Sequence, residues 1–99
     1  MSDVCLTLLG SPEVEEKLLD HLLMSPFAHT FTSQPAASHG GHLSGLDPRE
    51  AVLGRSDAVL IQVLVGADEA QRLVDDLRQS IKGAGVRYWL TPVLAQGEL

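Results

Sequence analysis

This 99-residue chain has a single cysteine, Cys5, so it can form no internal disulfide, which fits a reducing compartment. It has no run of Lys or Arg. Seven basic residues stand against 13 acidic ones, for a formal charge of -6. A nucleic-acid backbone would be repelled overall, so nucleic acid is not an expected partner. The longest apolar stretch, Ala58 to Val65, is far short of the roughly 20 residues that span a bilayer, so no direct membrane insertion is expected. Met1 is followed by Ser2 and Asp3 rather than by a basic and then apolar leader. No secretory signal is read there, and a cytoplasmic location is expected. The chain also lacks a catalytic constellation. The sequence places no base beside Cys5, and no pair of carboxylates reads as an acid–base couple. The expected protein is not an enzyme.

What is present is a globular composition, 44% hydrophobic and 20% charged. The length suits one domain, 1–99, with a modest core to which association often adds. Asp3 to Leu9 is a short apolar run ending at Gly10. It reads as a strand with Val4, Leu6 and Leu8 on one face and Cys5, Thr7 and Leu9 on the other. Ser11-Pro12 then reads as an N-cap with proline in the first helical position. Val14, Leu18, Leu19, Leu22 and Leu23 supply an apolar helix stripe, with His21 at its edge. Glu13, Glu15, Glu16 and Asp20 read as a solvated face. Phe27 to Ala37 can be extended, and Pro35 assigns it to a sheet edge because proline cannot donate to a ladder.

Ser56 to Val65 is the strongest strand signal, rich in β-branched residues and apolar on both faces except at Gln62. Asp68 and Gln71 have capping-box spacing. Ala70, Leu73, Val74, Leu77 and Ile81 recur at helical spacing, with Gly83 as the expected C-cap. Val86 to Leu94 is a last strand, with Pro92 again arguing for an edge. The order is βαββαβ. Right-handed crossovers then place both helices on one face of a four-stranded antiparallel sheet, an α+β, ferredoxin-like layout. The first and third strands are central and the second and fourth are edges. Two helices cover only one face, yet both central strands are apolar on both. The other face needs a cover, and an oligomer packing sheet faces together supplies it.

Between the halves runs a loop from about Ser38 to Arg55, longer than compact domains use for connection alone. Within it, Asp47 to Leu53 has the makings of a helical turn. His39-Gly40-Gly41-His42 offers two imidazoles on a flexible backbone, ligands for a divalent metal such as zinc, copper or nickel. Two ligands are too few for a zinc site. Asp47, Glu50 or His29 would have to add to them, or a symmetry axis would bring copies together. The same residues also suit a plain glycine-rich surface loop. Lys82 to Arg87 (K-G-A-G-V-R) reads either as an anion cradle or as a helix stop and turn.

Three segments carry a resemblance: F-T-S-Q-P-A-A-S-H-G at 31–40, V-L-I-Q-V-L-V-G-A-D-E-A-Q-R-L-V-D-D-L at 59–77, and R-Y-W-L-T-P-V at 87–93. The chain resembles PII-like proteins, small ferredoxin-like trimers with a mobile signalling loop between the second and third strands. Within them it is most similar to a PII-like group associated with heavy-metal efflux systems. The resemblance implies a homotrimeric regulator that binds a small ligand, such as an adenine nucleotide, and acts on a partner such as a transporter or metal efflux component. It makes 38–55 the signalling loop and sets Gly40 at its base. Gly41 follows, and His42 falls where the family holds a metal with nucleotide phosphates. Gly83 and Gly85 fall in the phosphate-binding loop and Arg87 at its end. Two departures accompany it: K-G-A-G-V-R is shorter than the family's phosphate loop, and Ala58 stands where a lysine is common. The alternative function is metal binding at His39 and His42, in heavy-metal homeostasis or tolerance.

Overall fold

The computed structural model describes residues 2–40 and 55–99. Its elements are β1 (Asp3–Gly10), a short 3-10 turn (Pro12–Val14), α1 (Glu15–Met24), β2 (Phe31–His39), β3 (Arg55–Gly66), α2 (Ala70–Ser80) and β4 (Arg87–Val93). The four strands form one antiparallel sheet in the order β2-β3-β1-β4. The two strands apolar on both faces are thus the central ones, and the two carrying proline are the edges. Pro35 and Pro92 each border one neighbour only, where a missing N–H breaks no second ladder.

Pairing fixes which side chains share a face. Leu6 lies opposite Val63 and Leu8 opposite Ile61, while Thr7 lies opposite Gln62. The first set meets the helices. Leu6, Leu8, Val59, Ile61, Val63 and Val65 form one buried cluster with Leu18 and Leu22 of α1 and Ala70, Leu73, Val74 and Leu77 of α2. The helical spacing on α2 therefore marks its buried face as read.

The details at the helix ends differ from the sequence reading. Ser11-Pro12 opens a 3-10 turn before α1 begins at Glu15, and the Ser11 hydroxyl donates to Glu13 Oε2 at 3.4 Å rather than capping a backbone N–H. The Asp68–Gln71 capping box does not form. Glu69 precedes α2 without a side-chain cap bond, and Gln71 Nε2 donates instead to Asp75 Oδ1 at 2.9 Å. Ile81, not Gly83, is the C-cap, with its N–H bonded to the Leu77 carbonyl. On α1, Leu23 leaves the apolar stripe and is exposed with Met24, because the core contact is completed by Leu18 and Leu22. The expected second strand starts late. Phe27 and Ala28 pack on the core, and the regular ladder opens at Phe31 opposite Val63.

β3 is longer than its neighbour β1. Gly10, the last residue of β1, lies opposite Val59, whereas β2 stays paired with β3 as far as His39 opposite Arg55. The β2–β3 ribbon therefore runs four residues past β1, about 13 Å at the usual strand rise. Gly10 closes the end of β1 by close approach. A Cβ there would lie 2.9 Å from Val14 Cγ2 and 3.2 Å from Val86 Cγ2.

Candidate functional site

The candidate residues gather at one end of the sheet but not at one place. His39 and Gly40 end the ribbon on the β2 edge. Gly83, Gly85 and Arg87 occupy the turn into β4 and its first residue, on the opposite edge. Antiparallel pairing explains the shared end. The last residues of β2 pair with the first of β3, and the first of β3 leads to the last of β1, which meets the first of β4.

The backbone accounts for the three glycines. Gly40, Gly83 and Gly85 have φ of +77°, +81° and +73°. That left-handed region strains residues with a Cβ, although a Cβ at any of the three would meet nothing within 4 Å. Conformation, not crowding, calls for glycine here. Between Gly83 and Gly85 the turn is tied by the Ala84 N–H to the Ile81 carbonyl at 3.1 Å. Lys82 and Arg87 flank it, both exposed. The turn can present amides and two cations to an anion.

One chain does not unite the two groups. Two strands lie between β2 and β4, so at about 4.8 Å per strand the edges stand about 14 Å apart. The ribbon carries His39 farther still. A ligand touching both Gly40 and Arg87 would need a second copy to bring one edge to the other.

The metal reading meets limits of the same kind. Gly41 and His42 lie outside the described residues, as do Asp47, Glu50 and the expected turn at 47–53. His39 pairs across the ladder with Arg55, a cation. His29 does not reach it. Its N–H bonds the Leu64 carbonyl near the other end of β3, about 33 Å of extended chain from His39. Among the described residues no group of three or more His, Cys, Asp or Glu is placed to hold a metal ion.

The sheet face away from the helices carries the second apolar side read on the central strands. Register places Cys5, Leu9, Ala58, Leu60, Leu64, Trp89 and Val93 there, interleaved with Thr7, Gln62, Thr32 and Gln34. Leu60 and Leu64 are half-buried and Trp89 is 43% exposed. Thr7 is buried on this face, and Cys5 is half-buried with its Sγ 3.9 Å from Thr7 Oγ1. One feature escaped the sequence reading, a cavity of about 310 Å³ under the C-terminal end of α2, lined by Arg78, Lys82, Gly83, Gly85 and Tyr88 among others. Only the pairing of Tyr88 with Leu8 puts that ring on the helix side. The edge histidine of α1 joins the two helices: His21 Nδ1 lies 3.1 Å from Ser80 Oγ.

The family model described as a protein of unknown function, DUF3240, matches residues 1–99. Among curated proteins none matches the chain. Among solved structures, a DUF3240 family protein from Shewanella baltica is 17% identical, with a TM-score of 0.82 over 100% of this chain and 98% of that one. The periplasmic divalent cation tolerance protein CutA from Archaeoglobus fulgidus is 11% identical, with a TM-score of 0.73 over 97% and 88%. A protein described as PII-like signalling, from Thermus thermophilus, is 18% identical, with a TM-score of 0.65 over 94% and 91%. At these identities the likeness is one of fold, and the fold is PII-like. No helix among the described residues is long and apolar enough to cross a membrane.

Proposed function

The chain belongs to the DUF3240 family, and on that footing we propose that it is a PII-like regulator. It works as a cytoplasmic homotrimer that binds a small ligand, an adenine nucleotide, near the base of the 38–55 loop and controls a partner such as a transporter. The reading is carried by one observation. The 83–85 glycine turn, suited to a phosphate-bearing ligand, sits at the same end of the sheet as Gly40 but on the opposite edge, so a second copy would bring both to one ligand. The half-covered sheet face supports association, and the fold likeness to a PII-like signalling protein supports the class.

Titration calorimetry with ATP and ADP, with and without magnesium, tests it. Saturable binding is expected, weakened about tenfold or more by Arg87→Ala through loss of a charge-assisted contact. Failure of every nucleotide to bind removes nucleotide sensing.

A second reading is a metal-binding role in heavy-metal homeostasis or tolerance. It rests on His39 and His42 and on fold likeness to a divalent cation tolerance protein. Replacing both histidines with Ala is expected to abolish zinc or copper affinity. Unchanged affinity removes this reading.

A further inference from the structure

We propose that the cavity between α2, the 81–86 turn and β4 is a second binding site, for a small carboxylate with an apolar body, and that it is complete within one chain. Its volume, about 310 Å³, is at the low end for ligand sites. The floor is apolar. Leu8, Val74 and Leu77 are buried, and Ile81 and Val86 pack beside them. A charged ligand without an apolar portion would find no hydrogen-bonding partners that deep.

The mouth is different. Arg78 and Lys82, two of the chain's seven basic residues, border it together with the Tyr88 hydroxyl. In a chain of net charge -6 this is a local concentration of positive charge. The Arg78 guanidinium lies 6.0 Å from the centre of the Tyr88 ring, at the outer limit of cation–π range, and both residues line the cavity. Its polar contacts are long. Nη1 is 3.4 Å from Asp75 Oδ1, and Nη2 donates to Tyr88 Oη at 3.4 Å. Asp75 Oδ1 is shared with Gln71 at the shorter distance of 2.9 Å. An exposed pair of this kind contributes little. A ligand carboxylate at ordinary charge-assisted distance would displace these contacts and gain a better one. The glycines at 83 and 85 leave the mouth open, since no side chain stands there.

The occupant is then a monoanion with a short chain or single ring. ATP and ADP carry more negative charge than two cations offset. The cavity shares Lys82 and the 83–85 turn with the proposed nucleotide site, but it needs one copy where that site needs two, so the inference does not depend on the nucleotide reading.

Octanoate is the probe, with octanol as its uncharged counterpart, in titration calorimetry on the full chain. Octanoate is expected to bind once per chain, about tenfold more tightly than octanol. Arg78→Gln should weaken octanoate about tenfold and leave octanol unchanged. The Arg78 side chain is 58% exposed, so the substitution does not threaten folding. Arg87→Ala, outside the cavity lining, should leave octanoate binding unaltered. Absence of saturable octanoate binding, equal affinity for octanol, or wild-type affinity in Arg78→Gln overturns the proposal. Loss of octanoate binding in Arg87→Ala also overturns it, since the carboxylate would then sit at the nucleotide site rather than in the cavity.

Discussion

Replacing Leu73 with Ala should lower the stability of this protein by about 2–5 kcal/mol. Leu73 is fully buried at the centre of the α2 face, within the cluster that includes Leu6, Ile61 and Val63. Truncation removes transfer energy and leaves a cavity that strands on one side and a helix on the other cannot close. Domains of this size have roughly 5–15 kcal/mol in total, so the loss is a large share. Urea denaturation at one fixed protein concentration measures it, because stability depends on concentration if the chain associates. Asp76→Ala, on the exposed side of the same helix, is the control and should shift stability by less than about 0.5 kcal/mol. A Leu73→Ala variant as stable as the control would mean that α2 does not cover the sheet in solution.

Converting Leu64 to Glu should dissociate the proposed trimer. Leu64 lies on the face away from the helices, opposite Cys5, and is half-buried within one chain. A carboxylate there keeps access to water in a lone protomer, so the fold survives. In an assembly that packs sheet faces together, it is buried in every copy without a partner. That costs several kcal/mol per copy and like charges add to it. Light scattering should give a trimer mass for the wild type and a monomer mass for Leu64→Glu, with unchanged far-ultraviolet circular dichroism. Arg72→Glu, on the outer side of α2, should remain trimeric. A wild type that is monomeric at working concentration removes the sheet-face argument altogether.

The two substitutions probe opposite faces of the same central strands, and this is where sequence reading reached furthest. β1 and β3 are apolar at consecutive positions, and only a strand covered on both sides tolerates that. Pro35 and Pro92 mark edges for an equally local reason, the absent N–H. The face of α2 follows from spacing alone. Element ends were less legible. Asp68 and Gln71 have the spacing of a capping box, yet α2 starts one residue too late for it, and Gln71 finds Asp75 instead. Leu23 fits the stripe of α1 by count, but two leucines already fill the contact and it stays wet.

The site was legible only in parts. Gly40, Gly83 and Gly85 stood out as glycines, and their positive φ values give the reason for them. Their separation did not show, because distance across a sheet depends on strand order and on how far one strand outruns another. The cavity did not show either. Arg78 and Tyr88 are ten residues apart on different elements and meet only when β4 returns beside β1.

The amino-acid sequence by itself determined the order of elements, the central and edge strands and the buried face of α2. These depend on periodicity and on the backbone limits of proline, which act within a few residues. Tertiary structure alone decided that the β2–β3 ribbon outruns the sheet and that a cationic mouth opens over an apolar floor beneath α2. Those depend on register and packing between distant segments, which no local pattern encodes.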